Sequence, residues 1–152
     1  RSLPSRRRPS AVPGRAFVDS GAWIALASAD DGHHADADAV FREAAHAGTR
    51  LVTTNLVLAE VHRFLLFRAG IRAAIAALAH IEASRLVVIE FTTTGHHAAA
   101  IEWLRKLPDQ VITYTDAVSF AVVKSTRCEA VIGFDRDFLL AGFQLWQRPG
   151  RT

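Results

Sequence analysis

Residues 131–138, VIGFDRDF, close a short apolar run, AVI at Ala130 to Ile132, with two aspartates, Asp135 and Asp137, around Arg136. So short and so apolar a run reads as a strand buried in a sheet. Runs of similar length recur upstream as AFV before Asp19, RLVT at Arg50 to Thr53 and RLVVIE at Arg85 to Glu90, and FQLW follows at Phe143 to Trp146. Helical patterns separate them at Gly21 to Ser28, His34 to Ala47, Asn55 to Arg68, Ile71 to Ser84, Thr94 to Leu107 and Thr115 to Thr126. Strands that alternate with helices are the pattern of βαβ units, so the expected fold class is α/β with a central, mainly parallel sheet. Asn55 is placed to cap the third helix, Gly70 to break it from the fourth, Pro108 to stop the fifth, and Thr113 or Thr115 to cap the sixth. Phe138 is expected to anchor a short helix beneath the final aspartates.

The chain has 152 residues, half of them apolar, enough for one domain that buries roughly two-thirds of its unfolded surface. Its single cysteine, Cys128, forms no internal disulfide and has no thiolate partners for zinc, which fits a reducing compartment. No window resembles a membrane span or a signal peptide, so a cytoplasmic protein with no membrane association is expected. The net charge of +3 is uneven, because five arginines lie in RSLPSRRRPSAVPGR and leave 13 basic against 15 acidic residues from Ala16 onward. Residues 1–15, rich in Arg, Pro and Ser, read as a disordered tail before a domain of residues 16–152. That domain lacks the basic excess that would offset phosphate charge, so binding to nucleic acid requires another source of positive charge.

In an open parallel sheet, ligands bind outside the carboxyl ends of the strands. Asp19 directly follows AFV there and opens SGAWIAL; Asp116, in YTDAVSFAVV, opens another helix. Either acid alone reads as a cap or a partner for the helix dipole. Ser119, one turn after Asp116, either assists there or packs. Glu60 interrupts LVLAEVHRFLLF on the stripe of Leu56, Phe64 and Phe67, so it is expected to be buried and to require a cation, a donor or a proton; Arg63 is within reach. Asp135 arrives at the same edge from the last strand, with Asp137 two residues on. Four acids from four distant segments would repel one another unless a cation lay among them. A site made of carboxylates, with no thiolate and no required histidine, suits Mg²⁺ or Mn²⁺.

In that order the segments FVDSGAWIAL, LVLAEV, YTDAVSFAVV and AVIGFDRDFLLAGF resemble the PIN-domain family, and within it the VapC-type toxin ribonucleases, from about Ala16 to Arg148. The resemblance implies a PIN-like α/β/α sandwich, a Mg²⁺ or Mn²⁺ centre, endonucleolytic cleavage of RNA, a homodimer, and neutralisation by a cognate antitoxin protein. The family's acidic positions fall on Asp19, Glu60, Asp116 and Asp135, with Asp137 as an accessory, and the first three are expected to hold the metal directly or through water. Relatives often carry a hydroxyl residue where this chain has Gly133, so positioning by such a hydroxyl is not expected here.

Arg63, Arg68 and Arg136 flank the acidic edge in sequence and are candidates for phosphate contacts. The pairs His33/His34 and His96/His97 read as polar helix starts, because adjacent helical residues diverge by about 100° and do not face one ligand. The rival from another class is a catalytically silent PIN-like module that binds protein or RNA, separated from the nuclease by metal-dependent cleavage. A phosphatase that also starts from a strand-end aspartate needs a second aspartate where Gly21 stands.

Overall fold

The computed structural model describes residues 12–146. Four strands, β1 (Arg15–Val18), β2 (Arg50–Thr54), β3 (Val87–Glu90) and β4 (Ala130–Ile132), form one sheet in the order β3-β2-β1-β4, with every pairing parallel. Between and after them run the helices α1 (Ser20–Ala27), α2 (His34–Ala47), α3 (Asn55–Ala69), α4 (Ile71–Ala83), α5 (Thr94–Lys106), α6 (Tyr114–Ser125) and α7 (Asp137–Leu140). The expected α/β class with its parallel sheet flanked by helices is what is found. Among the described residues, no helix is long and apolar enough to cross a membrane.

The central strand β1 places Ala16, Phe17 and Val18 wholly out of solvent. Phe17, Phe120 and Phe138 form an aromatic cluster, with Phe120 meeting Phe138 edge to face at 5.2 Å. Phe138 thus pins the short α7 beneath β4, as its position after the aspartates predicts. In α6 seven consecutive residues, Ala117 to Val123, are buried, so this stretch is enclosed on every side and holds the helix's first turn in a fixed place.

Local structure departs from the sequence reading in four places. Thr54, not Asn55, caps α3 by accepting from Val57 N at 3.1 Å; Asn55 instead binds Thr92 after β3 through its side-chain oxygen. FQLW at 143–146 is not a fifth strand, because after the turn at Gly142 (φ +88°) it makes only a single bridge, Leu145 to Val131. On α3 the buried stripe is Val57, Val61 and Leu65, while Phe64 and Phe67 are 45% and 76% exposed. Glu60 therefore lies on an open face and not in the core. Finally, ordered contacts begin before Ala16: Pro13 O accepts from Thr49 Oγ1, Gly14 N donates to Glu129 Oε1, and Arg15 Nη1 donates to Thr126 O. The rest of the expected tail, residues 1–11, lies outside the described residues.

Candidate metal centre

Asp19 leaves β1 and enters α1. It occupies the N-cap position, yet its side chain makes no capping bond within the helix, so the simplest structural use of an aspartate here is not made. Its backbone N donates to Ile132 O at 3.0 Å, which ties the carboxyl end of β1 to that of β4. Asp19 is only 5% exposed, and burial raises its pKa from 3.8 to about 7. A bond from the Ser20 backbone opposes that rise, while the charges of Asp116, Glu60 and Asp135 add to it. Asp19 thus shares an electrostatic environment with the other three acids.

Gly133 explains how β1 and β4 approach so closely beside this carboxyl. A Cβ at residue 133 would lie 3.2 Å from Asp19 Cβ and 3.9 Å from Asp19 Oδ2. A hydroxyl residue could not be added here without moving Asp19.

Asp116 is the third residue of α6 in a capping box. Its backbone N donates to Thr113 Oγ1 at 3.1 Å, and its Oδ2 accepts from Thr113 N at 3.3 Å. Partial burial still raises its pKa, against those Thr113 bonds and with a further push from Asp135. Glu60 is exposed as a whole residue, but its carboxyl lies close enough to the others for partial burial, then Asp116 and Asp135, to raise its pKa, while the Thr115 hydroxyl lowers it. Asp135 Oδ1 accepts from Asp137 N at 2.9 Å, a bond that starts α7 and fixes that carboxylate. Asp137 is also raised, by desolvation first and then by Asp135 and Asp116.

Carboxylate oxygens of Asp116, Asp135 and Asp137 lie within 4.8 Å of one another. Asp137, expected as an accessory, stands in this tight trio, whereas Asp19 and Glu60 adjoin it through charge. Ser119 is fully buried with no partner for its Oγ among the described residues, within the packed run of α6. Arg63 lies over the Phe67 ring at 5.2 Å, and with Arg68 lines an open groove of about 580 Å³ that reaches Glu60. Arg136 is exposed and takes part in neither ion pair found among the described residues, Arg42–Asp38 and Arg105–Glu102. Thr113, which holds Asp116, carries a signal in the sequence, since Thr113-x-x-Asp116 has the spacing of a capping box.

The PIN domain profile matches residues 16–144. The chain belongs to the PIN-domain family. Two relatives in this family, both called 23S rRNA-specific endonuclease VapC20 and from two strains of Mycobacterium tuberculosis, CDC 1551 and H37Rv, are 37% identical over 127 residues, covering 84% of this chain and 94% of theirs. The crystal structure of M. tuberculosis VapC20, described as a toxin that cleaves the sarcin-ricin loop, superposes with a TM-score of 0.76 at 35% identity, over 84% of this chain and 95% of that one. For a PIN domain, an all-oxygen donor set suits a hard divalent cation. The crowding here supports that fit, since four of the five acids are raised and a cation would favour their charged forms.

Proposed function

We propose that the protein is a Mg²⁺- or Mn²⁺-dependent endoribonuclease acting in the cytoplasm as the toxin of a toxin–antitoxin pair. In this reading Asp19, Glu60, Asp116 and Asp135 hold the metal, directly or through water, with Asp137 as a fifth carboxylate. The observation that carries it is the convergence of acids from four separate segments on one edge, three of them with oxygens within 4.8 Å. A bound divalent ion supplies Lewis acidity, lowering the pKa of an attacking water and neutralising phosphodiester charge. The chain's own contribution is positional. Thr113 fixes Asp116, the Asp137 backbone fixes Asp135, and the β1–β4 junction fixes Asp19. Attack by water, without use of the ribose 2′-hydroxyl, leaves a 3′-hydroxyl and a 5′-phosphate.

The relatives' name makes ribosomal RNA the first substrate to test. Arg63, Arg68 and Arg136 border the acidic edge and are the proposed phosphate contacts. The cognate antitoxin is expected to cover that edge and to insert an Arg or Lys among the carboxylates, and the active species is expected to be a homodimer.

The test is end-mapping of ribosomal and total RNA treated with purified protein in Mg²⁺ or EDTA, beside Asp116→Asn. Discrete cuts that need both Mg²⁺ and Asp116, together with growth arrest on induction, are expected. RNA binding without cutting would favour a silent binding module, and cutting without growth arrest would favour a processing nuclease.

A further inference from the structure

His33 and Phe134 come from distant parts of the chain and stack face to face, ring centroids 4.0 Å apart and 12° from parallel. Phe134 immediately precedes Asp135 and lies against the first turn of α1, where a Cβ on Gly21 would meet it at 4.0 Å. His33 is exposed, but its backbone is not loose. Its N donates to Asp31 Oδ1 at 2.8 Å, and the next residue, His34, binds Ala25 O through Nδ1 at 2.7 Å. The imidazole thus covers Phe134, the residue that leads into the carboxylate trio, with one face, while His33 as a whole stays exposed to solvent.

An acidic edge cannot draw in RNA by its own charge, so contacts indifferent to charge carry more of the binding. Stacking of bases on flat side chains is such a contact, and it tolerates sequence because every base has a π face. We propose that the face of the His33 ring away from Phe134 is a nucleobase subsite, where a base of the RNA near the scissile phosphate stacks, with Phe134 behind it as support and as the link to Asp135. The choice of RNA as ligand rests on the nuclease reading above.

Two measurements keep that reading and this subsite apart. One is anisotropy binding of a labelled single-stranded fragment of ribosomal RNA, the first substrate to test, with Ca²⁺ in place of Mg²⁺. The other is Mg²⁺-dependent cleavage of the same RNA. His33→Ala is expected to weaken binding about tenfold, and to raise KM about as much with kcat within twofold, whereas His33→Phe stays within twofold of wild type in both. Removing a single base from the RNA at the stacking position should abolish the difference between wild type and His33→Ala. The subsite is overturned if His33→Ala binds as wild type does, if His33→Phe is as weak as His33→Ala, or if no abasic position closes the gap. The RNA and the His33→Phe comparison decide this even if His33→Ala lowers the melting temperature. Binding that behaves as expected in a protein that cuts no RNA would sink the nuclease reading and leave the subsite standing, and normal cutting with indifferent variants would do the reverse.

Discussion

Asp19 is the residue at which charge and stability pull against each other. Its folded pKa of about 7 stands above its ordinary 3.8, so between those values the folded chain keeps a proton that the unfolded chain has released. Stability of the metal-free protein must then fall as pH rises through that window, being highest below it and bearing the whole penalty above it. At 1.36 kcal/mol per pKa unit the penalty from this carboxyl is on the order of 4 kcal/mol. Urea melts in EDTA at pH 5 and pH 7.5 should therefore show the lower midpoint at pH 7.5, and Asp19→Asn, which is neutral throughout, should flatten the difference. A wild-type midpoint that rises with pH would mean that Asp19 is not the buried acid described. Beside it, Gly133→Ala should leave the protein folded but shift Asp19 by a few tenths of an ångström, weakening Mn²⁺ binding several-fold by calorimetry. Asp19, Asp116, Asp135 and Asp137 could be picked out in the sequence because acids at strand ends and helix starts stand out against apolar runs, and Glu60 because it interrupts such a run. The stack of His33 on Phe134 could not, since a contact between residues 101 positions apart leaves no local pattern.

Helix α3 shows why periodicity alone misplaces a face. Leu56, Glu60, Phe64 and Phe67 share one stripe and Val57, Val61 and Leu65 its neighbour, and both are apolar enough to be core. The structure buries the second. Leu65→Ala should accordingly cost about 2–5 kcal/mol in denaturant melts, whereas Phe67→Ser should change stability by less than about 0.5 kcal/mol. At the start of α6, Thr113→Val removes the hydroxyl that receives the Asp116 amide. The expected loss is about 1 kcal/mol of stability, accompanied by weaker Mg²⁺ binding, because Asp116 loses part of its anchorage; unchanged Mg²⁺ affinity would show that the box serves the helix alone. Element order and the sheet were legible because strands and helices alternate with clear breakers. The fifth strand was not, as FQLW has strand composition but meets β4 through a single residue, and composition carries no information about register.

For the molecule as a whole, a hard cation bound among the crowded acids would make binding and stability one property. Mg²⁺ at ten times its dissociation constant should stabilise the wild type by about 1.4 kcal/mol, and Asp135→Asn should lose that increment together with cleavage while melting higher than wild type in EDTA. Retention of the full increment by Asp135→Asn would exclude this carboxylate from the site. The sheet order carries a consequence of another kind. The central strand β1 pairs with β4, so Ala16 finds its partner Ala130 only after 113 intervening residues have been made. A chain emerging from the ribosome therefore holds its innermost strand with one side bare through most of synthesis, and Asp116, Asp135 and Asp137 follow late. No truncated product can assemble the edge, so a cell translating this message meets the completed centre only when the last strand has closed the sheet.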